Sequence, residues 1–193
     1  MGRNARHISP QAIVEVAARL FYANGYKNTS LEEVAKILQV TRPAIYHYFK
    51  SKEDIIHTII QQVLEKVRAY AEEILAKPQP AHRKFEELLH RHILLILENK
   101  IEMGIFFEEQ KNLPPHITQK TLRFIDEYYS QLTHLYREGV KTGHFIDKNP
   151  SLAVQTLFGA CNWAYKWYNP SGTCSKEEVA QLILEMLMRG YRA

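Results

Sequence analysis

The sequence predicts an all-α protein in which a three-helix N-terminal domain with a helix-turn-helix precedes a C-terminal helical bundle. Apolar residues recur at helical spacing along nearly all of the 193 residues, and no useful stretch alternates apolar and polar side chains as a half-buried strand does. Helix-start and helix-stop signals divide the chain at intervals that suit helices. With 46% hydrophobic and 24% charged residues, the composition excludes intrinsic disorder and fibrous proteins.

The first predicted helix begins at Ser9-Pro10. A capping hydroxyl there precedes a proline, whose missing N–H is not needed in the first helical turn. One apolar face runs from Ile13 to Phe21, and Gly25 supplies the stop signal.

Two residues could cap the second helix. Thr29 and Ser30 each precede a glutamate by three residues, Glu32 and Glu33 respectively, so either could close a capping box. A third helical segment, 41–49, follows after two or three residues, which leaves room only for a tight turn. Two short helices joined in this way form a helix-turn-helix.

A long helix comes next. Ser51 with Asp54 opens it, and its apolar period continues to about Ala76, which corresponds to about 40 Å of helix. The sequence Lys77-Pro78-Gln79-Pro80 ends it. Further helical patterns cover residues 85–96, about 115–142, 149 to about 167 and 175–189, the last opened by Ser175-x-x-Glu178. Residues 101–112 are expected to contain a short helix. We therefore predict one domain of residues 1–52, linked by the helix of residues 51–76 to a second domain of residues 53–193.

The positive charge lies at one end of the chain. The whole sequence has a formal net charge of +4, whereas residues 1–52 hold eight basic and three acidic residues, a net charge of +5. Two of these basic residues, Arg3 and Arg6, precede the first helix. The remainder holds 17 basic and 18 acidic residues, a net charge of −1. This distribution indicates that the first quarter of the chain meets a polyanion.

The segment from Thr41 to Lys52 carries most of the functional information. As a helix it turns Ile45 and Phe49 inward and leaves Arg42 and three aromatic rings facing outward or along its edges. The major groove of DNA accepts an α-helix, and arginine, tyrosine and histidine can contact base edges and phosphates there. An aromatic core with a rim of solvated lysines is the plainer interpretation of such a segment alone. The helix-turn-helix spacing and the local charge excess together favour DNA binding.

Residues 9–55 also contain a series of spaced motifs: Phe21-x-x-x-Gly25-Tyr26, Thr29-Ser30-Leu31, Val34-Ala35, Val40-Thr41 and Ile45-Tyr46-His47-Tyr48-Phe49-Lys50-Ser51-Lys52. Together they resemble the DNA-binding domain of TetR-family transcriptional regulators. The resemblance implies a homodimeric repressor that binds a palindromic operator in double-stranded DNA and releases it when a small molecule enters an all-helical C-terminal domain. The DNA-binding candidates are Thr29, Ser30, Thr41, Arg42, Pro43, Ala44, Tyr46, His47, Tyr48, Lys50 and Lys52.

Two details qualify this resemblance. Base-reading roles fall on the residues of the third helix, whereas phosphate contacts fall on Tyr48, Lys52 and either Thr29 or Ser30. The family usually has glycine in the turn, where this chain has Gln39. If Gln39 adopts the left-handed conformation, we expect this to cost about 1 to 2 kcal/mol.

The C-terminal region has a second unusual segment. Both tryptophans, Trp163 and Trp167, are four residues apart and so fall on one helical face. A core or dimer stripe is the plainer interpretation. The segment also resembles the branch of TetR-type regulators that respond to fatty acyl-CoA, which implies dimerisation through the helices of about 149–167 and 175–189 and an aromatic tunnel for the acyl chain. The ligand-binding candidates are Met103, Phe106, Phe107, Phe124, Tyr128, Leu132, Trp163 and Trp167.

The effector expected from this resemblance is a long-chain acyl-CoA or another small apolar molecule, and the regulated genes those of lipid or fatty acid degradation. The alternative is a TetR-type sensor of drugs or aromatic compounds that controls an efflux or catabolic operon. Outside the regulators, two other classes compete: a constitutive DNA-binding protein, which has no need of the long helix and aromatic interior, and a helical enzyme.

Enzyme, metal and membrane functions find little support in the sequence. It contains no GxGxxG, GxxxxGK[ST], GxSxG or HExxH motif, so we expect no enzyme, no catalytic residues and no cofactor. His82, Glu86 and His90 could share one helix face but lack a further ligand, so we expect no metal site. The apolar runs are too short for a membrane span, and two cysteines are too few for a disulfide framework. We therefore expect a cytoplasmic protein.

Overall fold

The computed structural model describes residues 8–109 and 112–193, and these residues form helices and loops with no β-strand. The predicted all-α class is confirmed. Arg3 and Arg6 lie outside the described residues. The helices are α1 (Pro10–Asn24), α2 (Leu31–Leu38), α3 (Arg42–Tyr46), α4 (Lys52–Ala76), α5 (Ala81–Glu98), α6 (Lys100–Glu108), α7 (Pro115–Lys141), α8 (Pro150–Asn162), α9 (Ala164–Trp167) and α10 (Lys176–Arg189).

The chain forms two compact units. The first unit contains the residues up to Val63 together with Ile101–Thr118, and the second unit contains Leu64–Lys100 and Gln119–Ala193. The first unit therefore takes in α6 and the first half of α4 besides the helix-turn-helix. The domain boundary predicted at residue 52 rested on motif and charge, and as a functional boundary it stays a prediction.

The sequence signals of the first unit act as expected. The Ser9 hydroxyl accepts a hydrogen bond from the Ala12 N–H at 3.1 Å, and Gly25 ends α1 with a φ of 83°, a conformation that suits glycine. Ser30, rather than Thr29, caps α2. Its side chain accepts the Glu33 N–H, and the Glu33 carboxylate accepts the Ser30 N–H at 2.7 Å.

The turn between α2 and α3 is held by a left-handed residue. Gln39 has φ 56° and ψ 38°, so the non-glycine departure noted in the sequence does occupy the left-handed region. Its N–H donates to the Lys36 carbonyl at 3.2 Å, and the Val40 N–H donates to the Ala35 carbonyl at 3.0 Å. These two bonds form a Schellman ending, which satisfies the last carbonyls of α2.

The second unit is organised around α5, which packs against α8, α9 and α10. Ser175 and Glu178 form the predicted capping box at the start of α10. The predicted helix of 149–167 is interrupted: α8 ends at Asn162, and α9 is a single turn after Trp163. The cause is a local tightening, since the Lys166 N–H donates to the carbonyl of Trp163, only three residues back.

Candidate nucleic-acid interface and effector region

Helix α3 presents a polar and aromatic surface to solvent. Ile45 is fully buried and Phe49 is 8% exposed, as the inward face predicts. Arg42, Pro43 and His47 are exposed, and Tyr46 is 39% exposed. Of the remaining candidates, Thr41 and Lys50 are exposed, whereas Ala44 and Tyr48 are half-buried. The structure therefore brings most of the predicted DNA-binding residues onto one short surface segment.

Arg42 is held in place by two neighbours. Its guanidinium donates a hydrogen bond to the Tyr46 hydroxyl at 2.9 Å and lies over the Tyr46 ring, 5.2 Å from its centre. It also forms an ion pair with Glu32 of α2. The bond to Tyr46 and the charge of Glu32 raise the pKa of Arg42 above its usual value. A guanidinium has five donors, so these contacts orient Arg42 and still leave donors for a base edge or a phosphate.

The two lysines at the end of the helix-turn-helix have different environments. The Lys52 ammonium donates to the backbone carbonyls of Tyr26 at 2.7 Å, Thr29 at 2.9 Å and Lys27 at 3.3 Å. It also lies 4.4 Å from the centre of the Tyr26 ring. An ammonium group has three N–H donors, so Lys52 uses all of them within the protein. The Lys50 side chain, by contrast, is exposed.

Thr29 also has a role inside the protein. Its side chain is 2% exposed, and its hydroxyl donates to the carbonyls of Leu20 at 3.2 Å and Gly25 at 3.0 Å. Ser30 is half-buried at the N-terminus of α2. Thr29 and Ser30 were the two alternatives for a phosphate contact. Ser30 is the more exposed of the two, whereas the Thr29 hydroxyl is buried and bonds the loop after α1.

A buried carboxylate fixes the same loop from α6. Glu109 is 9% exposed; one of its oxygens accepts the Tyr26 N–H at 3.1 Å, and the other accepts the Asn112 amide at 2.7 Å. Close by, a Cβ on Gly104 would overlap the ring of Tyr22, so only glycine lets α6 approach α1 this closely. The sequence gives no sign of this role for Glu109, because no local pattern reveals a partner 83 residues away.

The predicted effector residues fall into three groups. Buried ones are Met103, Phe106, Tyr128 and Leu132; Phe107 and Phe124 are half-buried; Trp163 and Trp167 are 62% and 54% exposed. The candidates from α6 belong to the first unit and the others to the second. Within each unit some rings are in contact: the ring centres are 5.1 Å apart for Phe106 and Phe107, and 6.5 Å apart for Phe124 and Tyr128.

The exposed tryptophans belong to a set of exposed apolar side chains that we call the apolar face. It consists of side chains from α8 to α10 and the residue that joins α8 to α9. Each is more than half exposed: Leu152, Trp163, Trp167, Leu182 and Met186. Apolar surface that is left exposed in this way often marks a site of association.

Four polar side chains in the core of the second unit form a hydrogen-bonded chain that sequence reasoning missed. We call Tyr70, His92, Tyr128 and Asn162 the polar relay. The relay joins α4, α5, α7 and α8. Burial lowers the pKa of His92 to about 4, so its imidazole is neutral at physiological pH. The available sequence signal was the presence of polar residues at positions that helical periodicity assigns to the apolar, buried face.

The histidines and cysteines noted in the sequence include pairs and single residues of the second unit. Among the described residues, no group of three His, Cys, Asp or Glu side chains could hold a metal ion. The His82 ring stacks on the ring of His144 at 3.5 Å. Cys161 is buried, and burial raises the pKa of its thiol to about 12, whereas Cys174 is exposed. No helix within the described residues is long and apolar enough to cross a membrane.

Comparison with known proteins extends the resemblance over both parts of the chain. A model described as bacterial regulatory proteins, tetR family, matches residues 13–59. A model of the tetracyclin repressor-like C-terminal domain matches residues 78–191. The HTH-type transcriptional repressor KstR2 of Rhodococcus jostii is 25% identical, with 92% of this chain and 88% of that protein covered. The fatty acid metabolism regulator protein of Bacillus subtilis is 24% identical, with 92% and 93% covered.

Solved structures share the fold. A transcriptional regulator of the TetR/AcrR family from Thermobifida fusca has a TM-score of 0.73 and 36% identity, with 95% of this chain and 98% of that chain covered. AibR in complex with isovaleryl coenzyme A and operator DNA has a TM-score of 0.78 and 24% identity, with 92% and 97% covered.

Proposed function

This chain belongs to the TetR family of bacterial regulatory proteins, and from that premise we propose that it is a transcriptional repressor whose effector is an acyl-CoA thioester. A homodimer binds a palindromic operator through α3, and the effector releases it. The protein is a regulator and not an enzyme. The observation that carries the proposal is the surface of α3, where Arg42, Tyr46 and His47 face solvent beside a buried Ile45.

The contacts to DNA divide into two kinds. Arg42 and Tyr46 read base edges, because they project from the exposed side of α3 and Arg42 is held by its neighbours. Pro43, Ala44 and His47 line the same contact. Ser30, Thr41, Tyr48 and Lys50 meet phosphates, which position the helix without reading sequence.

Dimerisation occurs through the apolar face. The supporting observation is that its five large side chains, contributed by residues 149–167 and 175–189, are exposed in the single chain. To bind two half-sites, the α3 helices of the dimer need a separation of about one helical turn of DNA, about 34 to 36 Å, or more. Effector binding stabilises a dimer in which the two α3 helices have a different spacing. The ratio of the effector's affinities for the two states sets how far the equilibrium between them shifts.

The printed names of two similar proteins support the proposed effector and target genes. One is named a fatty acid metabolism regulator, and a protein of the same fold was crystallised with isovaleryl coenzyme A. We assign this chain an acyl-CoA effector, which binds in the second unit, and control of fatty acid or lipid degradation genes. The buried aromatic side chains of that unit suit an acyl chain.

The test is fluorescence anisotropy on the DNA upstream of the chain's own coding region, with and without palmitoyl-CoA. We expect binding at least about 1,000-fold tighter than to unrelated DNA and at least a tenfold loss of affinity with palmitoyl-CoA. Arg42→Ala should lower discrimination at one base position by about 1 to 3 kcal/mol. Arg123→Ala, an exposed arginine on α7, is the matched control and should change neither.

Two outcomes would contradict parts of the proposal. Equal affinity for all sequences rules out the repressor. Sequence-specific binding that palmitoyl-CoA leaves unchanged keeps the repressor and rules out this effector, in favour of a sensor of drugs or aromatic compounds.

A further inference from the structure

The polar relay is a continuous series of hydrogen bonds inside an apolar core. The hydroxyl oxygens of Tyr128 and Tyr70 are 3.1 Å apart, the Tyr70 hydroxyl lies 3.4 Å from His92 Nδ1, and His92 Nε2 lies 2.8 Å from Asn162 Oδ1. Tyr70, Tyr128 and His92 are 4%, 6% and 8% exposed. The ring of Phe158 lies 4.6 Å from that of His92 and 6.0 Å from that of Tyr128. Polar groups in such a core are retained only when hydrogen-bonded.

The direction of the protons in the relay follows from Asn162. In the structure its carbonyl oxygen, Oδ1, lies 2.8 Å from His92 Nε2, and an amide oxygen can only accept a hydrogen bond. His92 is neutral and donates from Nε2 to this oxygen, which leaves Nδ1 as an acceptor. Tyr70 therefore donates to His92 Nδ1, and Tyr128 donates to the Tyr70 oxygen. Each proton of the relay points from Tyr128 towards Asn162.

This direction gives Tyr128 a special position at the end of the relay. If the Tyr128 O–H turns to a ligand, Tyr70, His92 and Asn162 keep every donor paired, and only one acceptor bond of the Tyr70 oxygen is lost. A hydroxyl oxygen has a second lone pair, so this loss is smaller than that of an unpaired donor. Redirecting the Tyr70 O–H instead would take the only donor away from His92 Nδ1, which has a single lone pair and so would be left with no hydrogen bond.

The relay also meets the surface at Tyr128. A groove of about 150 Å³ between α4 and α7 has Tyr128 and Phe124 in its wall. Arg68 lies at this groove, its guanidinium carbon 5.4 Å from the centre of the Phe124 ring. Ligand pockets usually measure about 300 to 1,000 Å³, so an acyl chain enters here only if α4 and α7 move apart. A second groove, of about 280 Å³, has Tyr70 in its wall.

We propose that the Tyr128 hydroxyl binds the carbonyl oxygen of the effector, with Tyr70, His92 and Asn162 as positioning residues. The ligand class is an apolar molecule with one buried carbonyl, either an acyl thioester or a ketone. This inference rests on the proposed function, because it concerns the effector site of the same repressor. It goes further by naming the group of the effector that is recognised and the residue that recognises it.

The experiment compares two ligands that differ at the carbonyl. Palmitoyl-CoA and its thioether analogue S-hexadecyl-CoA are titrated into the protein–operator complex, and release is followed by anisotropy relative to each variant's own operator affinity. Wild type should need about tenfold more thioether than thioester. In Tyr128→Phe this ratio should fall to about one. Tyr136→Phe removes another buried phenol on α7, one that donates to the Ile146 carbonyl, and should keep the tenfold ratio.

His92 is tested by rescue. His92→Phe should lower the ratio to about one, whereas His92→Gln, which keeps a donor and an acceptor, should restore part of it. A merely structural role would change stability in both variants and leave the thioester-to-thioether ratio unchanged.

A third ligand separates the two sources of the carbonyl. Androst-4-ene-3,17-dione offers ketones without coenzyme A, and release by it alone, abolished in Tyr128→Phe, would support the carbonyl inference and overturn the acyl-CoA effector. Release of wild type and Tyr128→Phe by palmitoyl-CoA with the same tenfold ratio would overturn the inference and leave the proposed function standing. If no ligand releases the wild type, both fail.

Discussion

Lys52→Met should destabilise the protein. The substitution keeps the apolar stem over the Tyr26 ring and removes the ammonium that donates to three backbone carbonyls at 2.7, 2.9 and 3.3 Å. Hydrogen bonds to charged groups contribute about 1.5 to 3 kcal/mol, and because Lys52 is half-buried we take about 2 kcal/mol for the whole group. For a chain of 193 residues this corresponds to a fall in Tm of about 4 to 8 °C.

The assay pairs thermal unfolding, followed by circular dichroism, with the salt dependence of operator binding. Lys50→Met is the matched control: its side chain is exposed, so Tm should stay constant while the slope of log K against log salt falls by about 1. Sequence alone predicts that slope change for Lys52 as well. If Lys52→Met kept the wild-type Tm and its slope of log K against log salt fell by about 1, Lys52 would be a phosphate contact. The structural role of its ammonium would then be refuted.

Two further predictions concern the second unit. Met186→Glu, which places a charge on the apolar face, should weaken dimerisation at least about tenfold in sedimentation equilibrium. The control Leu122→Glu, on an exposed part of α7, should leave dimerisation unchanged. The reverse result would show that the dimer interface includes α7 and not the apolar face. Because burial lowers the pKa of His92 from 6.5 to about 4, its contribution to stability is complete above about pH 6.5 and falls by about 1.4 kcal/mol per pH unit down to about pH 4. Burial also lowers the pKa of His82 and His90. The contribution of His92 is therefore taken as the difference in the free energy of urea unfolding between wild type and His92→Gln at each pH. If that free energy had the same pH dependence in both proteins, the prediction would be contradicted.

Local signals in the sequence predicted the helices well. Ser9-Pro10 and the Ser175 box start α1 and α10 as expected, because capping depends on residues within one turn. The choice between Thr29 and Ser30 could not be made locally, since it depends on the burial of Thr29 against the carbonyls of Leu20 and Gly25.

Features that depend on distant contacts escaped sequence reasoning. Nothing near Glu109 indicates that its carboxylate accepts the N–H of Tyr26, and nothing near His92 indicates a partner on α8. The solvent-exposed face of α3 was predictable because α3 is short and its inward residues, Ile45 and Phe49, are marked by their spacing. The candidates for effector binding were chosen as apolar and aromatic side chains, and that choice gave no sign of the polar relay that includes one of them, Tyr128.

The closure of the first unit by Glu109 and Gly104 bears on how the chain folds during synthesis. The Tyr26 N–H in the loop after α1 is paired with the Glu109 carboxylate, and the Tyr22 ring packs against Gly104 of α6. Both contacts can form only after more than a hundred residues have been translated. When only the helix-turn-helix has left the ribosome, the first unit is therefore incomplete. The Tyr22 ring is then not covered by α6, and the Tyr26 N–H lacks its carboxylate acceptor. The fold of the first unit is thus complete only after α6 and Glu109 have been made, and a fragment that ends at residue 63 lacks part of that unit.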